Sequence, residues 1–467
     1  MEYRSNCGGG RMRTLPLFIF VYLAFAASHA GAVDLIGYLP YYRMSDPYLS
    51  NQLPMLNQVR YFGLTVDSTG GITALAGSPT VTDQEGVNYI GNIKDKIAAL
   101  PANKRPRLDI TLGGAGEAAN FAAIAADPMK QTTLATNISA LLTKTGATSI
   151  DIDWEDPTNA TQRTNYGTML QRIKQEVGSS NGVYATIAPE IFLPASTFQG
   201  PNAIDGTSLM TYDLSWWSNG HDGHNGEHSL PDYVTDSLNA WTDPPGSANK
   251  RPYVFGTWGN GVPASDLGVG LPFYAHGLNP NSGTTATYAQ LVAGGTTTDG
   301  NYYTYQGKQM WTVGPDLVKQ RVQFAHDRGL NNIIIWEIGQ DIDPTNSGSL
   351  LRTAYLKNQT LGGDYDGDGV VGPNDELVWQ STFGATTGGD LRADGNGDGV
   401  VDAGDYTIWR SHLAAAGGGA TGAGAVPEPT AIQTLLVGSS LLITFLLLNE
   451  LRNRSATTIP AASADCN

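Results

Sequence analysis

The chain has 467 residues, 43 of them acidic and 27 basic, for a net charge of -16. That length suits one large domain with appendages, and the charge argues against nucleic acid as a partner. Only two cysteines occur, Cys7 and Cys466, so no disulfide staples the folded part and a core of about 300 residues has to hold itself together.

Arg4, Arg11 and Arg13 precede an apolar run from Leu15 to Ala27, and Ala30-Gly31-Ala32 offers small residues at the minus-three and minus-one places of a cleavage point. This predicts a secretory signal over residues 1–32, with Val33 as the mature start. The run is short for a retained membrane anchor.

From Asp34 to about Lys357 short apolar runs alternate with longer helical patterns. The expected strands are Leu35 to Leu39, Arg60 to Val66, Leu108 to Leu112, Ser149 to Glu155, Tyr184 to Ala188, Thr207 to Asp213, Leu267 to Tyr274 and Asn332 to Ile338. Eight strands with long crossovers predict an α/β fold, a (β/α)8 TIM barrel over residues 33–357, in which function gathers at the C-terminal strand ends. A doubly wound open sheet is the alternative, but no glycine-rich phosphate turn follows the first strand.

The fourth strand reads Ile150-Asp151-Ile152-Asp153-Trp154-Glu155. Side chains alternate along a strand, so three carboxylates share one face and Ile150, Ile152 and Trp154 the other. Stacked like charges repel and raise at least one pKa, which keeps a carboxylic acid protonated near neutral pH. A solvated strand face would not select this pattern.

Other strand ends carry chemistry too: Thr111-Leu112-Gly113-Gly114 on the third, Ala188-Pro189-Glu190 on the fifth, Met210-Thr211-Tyr212-Asp213 on the sixth, Gly270-Leu271-Pro272-Phe273-Tyr274 on the seventh and Trp336-Glu337 on the eighth. With the acidic strand, in this order, they resemble glycoside hydrolase family 18, the chitinase family. The family motif Asp-Gly-x-Asp-x-Asp-x-Glu has Thr148 and Ser149 in its first two places here, and Thr111 stands where the family has Ser.

The resemblance implies a glycosidase in which the substrate's own acetamido group is the nucleophile. Glu155 would be the general acid and then the base, Asp153 would bond the acetamide N–H, and Asp151 would share charge with Asp153 as a titrating pair. Tyr212 would bond the acetamide carbonyl, Asp213 would help place the sugar, and Trp336 would floor the distorted ring. Met210, Tyr38, Gly113, Gly114 and Glu190 complete the expected substrate contacts, although Met210 also suits packing and Glu190 a salt bridge. The substrate would be chitin or another N-acetylglucosamine-containing glycan, with no cofactor for catalysis. Endo-β-N-acetylglucosaminidase action and a non-catalytic chitin-binding lectin are the alternatives; lectins of this kind usually lose the terminal Glu. In the loop after the sixth strand, Trp216 and Trp217 could line the cleft. His221, His224 and His228 lack the spacing of a helical zinc signature and suit a sugar-binding or solvated loop better.

Residues 361–413 hold ten acidic and two basic residues, half the net charge in 53 residues. Two segments repeat there, starting at Asp364 and Asp394. Oxygen side chains at loop positions 1, 3, 5 and 12 are Asp364, Asp366, Asp368 and Asp375, then Asp394, Asn396, Asp398 and Asp405, with glycine at position 6 and the carbonyls of Val370 and Val400 at position 7. This is the ligand spacing of a calcium loop. Helical stretches follow from Glu376 to Thr382 and from Tyr406 to Leu413. The pair resembles the dockerin type I repeat, which implies structural Ca2+ and a cohesin-like partner; a compact calcium-stabilised spacer is the alternative. Residues 414–426 are almost entirely Ala and Gly, a flexible linker.

Val426-Pro427-Glu428-Pro429 then leads into an uncharged stretch from Thr430 to Leu448, followed by Glu450, Arg452 and Arg454 and a tail over 455–467. About 19 such residues can cross a bilayer. Residues 427–454 resemble the PEP-CTERM sorting signal, apart from the 13 residues after Arg454. That implies a C-terminal transmembrane helix, an exosortase-type processing enzyme as partner, and a protein secreted to the surface or membrane-anchored outside a bacterial cell. A plain membrane anchor is the alternative.

Overall fold

The apolar alternation expected of the strands is what closes the sheet. The computed structural model describes residues 33–75, 84–214, 225–245, 247, 260–361, 363–366, 371–386, 389–395 and 400–416. In chain order the strands are β1 (Asp34–Pro40), β2 (Gln58–Val66) with a short partner β3 (Ile72–Ala74), β4 (Arg107–Gly113), β5 (Ser149–Asp153), β6 (Gly182–Ile187), β7 (Gly206–Leu209) and β8 (Leu267–Pro272). An insertion follows with β9 (Tyr274–Gly277), β10 (Thr285–Thr287), β11 (Thr296–Thr297), β12 (Tyr302–Tyr305) and β13 (Lys308–Thr312), and β14 (Asn332–Trp336) comes last. Eight of these run parallel in the cyclic order β1-β2-β4-β5-β6-β7-β8-β14, and β14 returns to β1 through the register Asp34 to Asn332. The result is a (β/α)8 barrel.

The helices that cover it are α1 (Leu49–Gln52), α2 (Gln84–Ala98), α3 (Ala118–Ala125), α4 (Pro128–Thr145), α5 (Ala160–Val177), α6 (Pro231–Thr242), α7 (Tyr288–Gly294) in the insertion, α8 (Pro315–Asp327) and α9 (Leu350–Leu361). Their ends are written locally. The Asp127 carboxylate accepts from the backbone N–H of Met129 and Lys130, Pro128 opens α4, and Gly146 at φ 69° closes it.

Outward strand residues such as Leu35, Val59, Ile110, Ile150 and Ile152 join helix residues such as Ile138, Tyr166 and Leu170 in one apolar layer. Trp154 packs there between Phe121 and Tyr166, at ring distances of 5.9 and 5.0 Å. The inward positions are different in kind. Ile36, Tyr38, Tyr212, Tyr274 and Ile334 form a small inner cluster, and below it the interior is charged, with Arg60, Asp109 and Asp151 fully buried.

Four strands end two or more residues before their expected ends, β8 at Pro272 rather than Tyr274 and β14 at Trp336 rather than Ile338 among them. β5 ends at Asp153 and β7 at Leu209, so Glu155 and the segment Met210 to Asp213 stand just past their strands, where the backbone is free to turn toward the axis. The antiparallel five-stranded sheet in the order β10-β9-β13-β12-β11 was not expected. Its strands have two to five residues and read as turn-rich loop.

After the barrel come α10 (Pro373–Thr382) and α11 (Ala403–Ala416), the two helices expected of the acidic repeats. α11 runs three residues into the expected linker, since alanine is the strongest helix former. Each helix sends an indole to the other repeat: Trp379 Nε1 donates to the Asp402 carbonyl at 2.7 Å and Trp409 Nε1 to the Gly372 carbonyl at 2.8 Å. No helix among the described residues is long and apolar enough to cross a membrane. The expected signal (1–32) and the segments from 417 on lie outside the described residues.

Candidate active site

At the C-terminal mouth of the barrel lies a cavity of about 510 Å3 lined by Tyr38, Asp153, Glu155, Tyr212, Asp213 and Trp336, among others. Its lining also includes Met210, Gly114 and Glu190 from the expected set, and Phe62, Ala115, Thr186 and Leu214. Thus every side chain expected from the strand-end motifs converges except Asp151, which lies one layer deeper, and Gly113, which serves the backbone. Gly113 has φ 122°, and a Cβ there would collide with the Asp153 carbonyl. Glycine lets β4 approach β5 closely enough for the Gly114 N–H to reach that carbonyl at 3.0 Å.

The three acids are in three environments. Asp151 is fully buried and accepts from Tyr38 Oη at 2.8 Å, Thr111 Oγ1 at 3.0 Å and Thr186 Oγ1 at 2.9 Å, with Arg60 Nη1 at 3.2 Å. Donors thus reach both of its oxygens and fix its orientation. Asp153 is also buried, and its Oδ1 has no hydrogen-bond partner. Burial, then the charges of Glu155 and Asp151, push its carboxyl well above the usual range. Glu155 is raised to about 7, first by burial and then by Asp156 and Asp213. Two raised carboxyls, Glu155 and Asp153, therefore follow one another into the barrel, with Asp151 beneath them.

Past β7, Asp213 has φ 59° and lines the mouth. Tyr274 Oη donates to its Oδ1 at 2.6 Å, His276 Nε2 lies 2.8 Å from the same oxygen, and its backbone N–H reaches His228 Nδ1 at 3.3 Å. Burial works to raise this carboxyl, but hydrogen bonding to the two imidazoles and Tyr274 outweighs it and holds Asp213 below the usual carboxylate range. Of the three histidines of the expected loop, His221 and His224 lie outside the described residues, as do Trp216 and Trp217. The His228 ring lies 4.6 Å from that of His276, on the unexpected sheet. Trp336 meets Tyr38 and Phe62 at ring distances of 5.4 and 5.0 Å. Its ring is thereby braced as one side of the cavity.

Sequence reasoning missed Arg60, Asp109, Thr186, Phe62 and His276. Arg60 and Asp109 had a signal: Arg60 is the one charge in β2, and Asp109 follows Arg107 at an alternate position of β4.

In the acidic repeats the carboxylates of Asp364, Asp366 and Asp375 lie within 4.8 Å of one another, two of them buried. Asp375 also accepts from the N–H groups of Asp366 and Gly372 at 3.0 and 2.6 Å. In the second repeat Asp394 and Asp405 are buried, and Asp405 accepts from the Asp402 N–H at 2.7 Å. Buried oxygens clustered this way fit a hard cation such as Ca2+. Val400 is described and bridges Thr386. Asp368, Val370, Asn396 and Asp398 lie outside the described residues.

A closed (β/α)8 barrel with carboxylates at and just past the end of its fourth barrel strand, one of them raised to about 7, and an aromatic-sided cavity make up the site of a glycosidase. The sequence model described as glycosyl hydrolases family 18 matches residues 34–341, and the chain belongs to that family. It is 26% identical over 314 residues to endochitinase 1 of Metarhizium anisopliae, covering 60% of this chain and 70% of that protein. Its fold is similar to that of the chitinase ChiB of Flavobacterium johnsoniae, with a TM-score of 0.54 and 19% identity over 71% of this chain and 96% of that one. It is also similar to a chitinase-like agglutinin of Robinia pseudoacacia, with a TM-score of 0.50 and 20% identity over 69% and 98% of the two chains.

Proposed function

We propose that the protein is a secreted chitinase that cleaves β-1,4-linked N-acetylglucosamine polymers with retention, through the substrate's acetamido group. The observation that carries the reading is Glu155, an acid raised to about 7 at the edge of the cavity, two residues beyond Asp153. Glu155 gives its proton to the leaving glycosidic oxygen as the acetamide oxygen closes on the anomeric carbon. Asp153 accepts from the acetamide N–H and balances the oxazolinium charge. Asp151 lies beneath it, held by Tyr38, Thr111, Thr186 and Arg60. Glu155, now a carboxylate, removes a proton from the water that opens the ring, which restores the starting state. Tyr212 bonds the acetamide carbonyl, Asp213 holds a sugar hydroxyl, and Trp336 supports the ring.

Purified protein and Glu155→Gln are incubated with chitin oligomers and with a glycoprotein, and products are followed by mass spectrometry. Cleavage of chitin by the parent alone is expected. No cleavage of either substrate sinks the hydrolase mechanism, and chitin binding without cleavage points to a lectin. Cleavage of the glycoprotein alone makes the protein an endo-β-N-acetylglucosaminidase. A variant as active as the parent removes Glu155 from its role.

The acidic repeats would hold Ca2+ through Asp364, Asp366 and Asp375 and through Asp394 and Asp405, as a dockerin-like module for a cohesin-like protein. The ends of the chain would direct export and anchoring at the cell surface. Calorimetric titration with calcium, repeated on Asp375→Ala, checks the metal: heat for two sites falling to one supports it, and no heat overturns it.

A further inference from the structure

Arg60 is fully buried in the barrel interior, a place where an ionised guanidinium is costly unless it is paired. The proposed mechanism makes no use of it. Its Nη1 lies 3.2 Å from Asp151 Oδ1, its Nε 3.7 Å from Asp109 Oδ2, and its Nη1 also donates to Tyr38 Oη at 3.3 Å. The Tyr184 ring covers the guanidinium at 5.0 Å. Asp109, from the neighbouring strand β4, is itself held by Ser149 Oγ at 2.6 Å and Thr148 Oγ1 at 3.4 Å. Those two hydroxyls stand where the resembled motif has Asp-Gly. The carboxylate absent from the start of β5 is thus replaced by one reaching in from β4, with a cation between it and Asp151.

We propose that Arg60, balanced by Asp109, is a positioning residue that fixes Asp151 as the anion and so leaves the mobile protons of the site to Asp153 and Glu155. It rests on the roles assigned above to those three acids. The titratable and charged groups around Asp151 are Tyr38 on β1, Arg60 on β2, Asp109 on β4, Asp153 and Glu155 above it, Tyr184 on β6, Tyr212 past β7 and Tyr166 on α5. Arg60 is the cation among them in direct contact with Asp151, at the distance given. The hydroxyls of Tyr38, Thr111 and Thr186 orient the carboxylate, and the guanidinium supplies the charge. Tyr38 and Thr186 lie 2.7 Å apart, so either hydroxyl can turn to the other. Arg60 bonds both Asp151 and Tyr38, which keeps that exchange beside an anion.

The test separates charge from fold. In Arg60→Met/Asp109→Leu a buried ion pair gives way to apolar side chains of similar size, a change cores accept. Arg60→Lys keeps the charge, and Asp109→Asn keeps Arg60 but removes its balance. The carboxyl carbons of 13C-labelled aspartate are titrated by NMR in each, with Asp151→Asn to assign the pair, and kcat/KM on chitin oligomers is measured against pH. In the double variant the midpoint of the Asp151–Asp153 pair is expected to rise by about one pH unit, with the acidic limb of kcat/KM following. Arg60→Lys should restore most of it, and Asp109→Asn should move the midpoint down. Parental midpoints in the folded double variant overturn the inference, as does a parental midpoint in Asp109→Asn should the double variant not fold. A parent that titrates as expected but cleaves nothing instead overturns the chitinase reading, because the NMR arm needs no turnover.

Discussion

Tyr274 Oη donates to Asp213 Oδ1 at 2.6 Å, and this bond joins the segment after β7 to the first strand of the inserted sheet. His276, two residues along β9, bonds the same oxygen. The orientation of Asp213 toward the cavity is therefore held from outside the barrel. Tyr274→Phe removes a charge-assisted donor worth about 1.5 kcal/mol, discounted because the Asp213 side chain is 56% exposed. Steady-state kinetics should show kcat/KM for chitin oligomers lower by about tenfold, and Tyr274→Phe/His276→Ala less impaired than the product of the single effects.

Glu155 has to be protonated to act as the acid. With its carboxyl raised to about 7, kcat/KM should fall about tenfold per unit above that pH, while the acidic limb belongs to the Asp151–Asp153 pair. Asp156 helps to raise Glu155. Asp156→Asn removes a nearby negative charge, makes ionisation easier, and should move the basic limb down by about half a pH unit. A limb that moves up or stays would contradict the electrostatics described here.

Removing the acid itself has a cleaner signature. Glu155→Gln is nearly isosteric and should lower kcat by about 10³-fold while leaving chitin oligomer affinity within a factor of about three. Isothermal titration on the variant checks the second half of that statement.

Gly113→Ala tests the approach of β4 to β5. The residue has φ 122° and its Cβ would strike the Asp153 carbonyl, so strain and displacement should together cost about 3 kcal/mol. Thermal denaturation should show the midpoint lower by about 5–10 °C. Gly178→Ala, where a Cβ meets open space and only the φ of 76° is unfavourable, should cost less.

On the proposed calcium site, chelation leaves the carboxylates of Asp364, Asp366 and Asp375 facing one another within 4.8 Å. Differential scanning calorimetry with a calcium chelator should show the melting of the acidic repeats moved to lower temperature and the barrel transition unchanged, with hydrolysis retained below it. Loss of both transitions together would make the metal part of the barrel's own stability.

The barrel strands were legible as short apolar runs that end in polar or glycine-rich turns, and the acids at the end of β5 because three carboxylates at alternate positions have few other uses. Strand ends were less legible: nothing local to Glu155 or Tyr212 says that the strand stops at Asp153 or Leu209, since the arrest comes from cavity geometry. Arg60 and Asp109 lie 49 positions apart, and each alone looks like an interruption. They acquire meaning only when β2 and β4 pair in the register that sets them opposite one another. His276 was hidden in the same way, on a four-residue strand inside a segment rich in Gly, Thr and Tyr. The calcium-loop spacing of the acidic repeats could be read directly, whereas the exchange of indoles between Trp379 and Trp409 could not, because it depends on which loop each helix comes to face.

The inserted sheet leaves the barrel with a single residue, Phe273, between β8 and β9. So short a connection has no hinge, and Tyr274 and His276 fasten it again through Asp213. The tips of β11 and β12, by contrast, are exposed and farther along the chain from that weld. Selection can lengthen or recolour those tips while the placing of Asp213 stays constant.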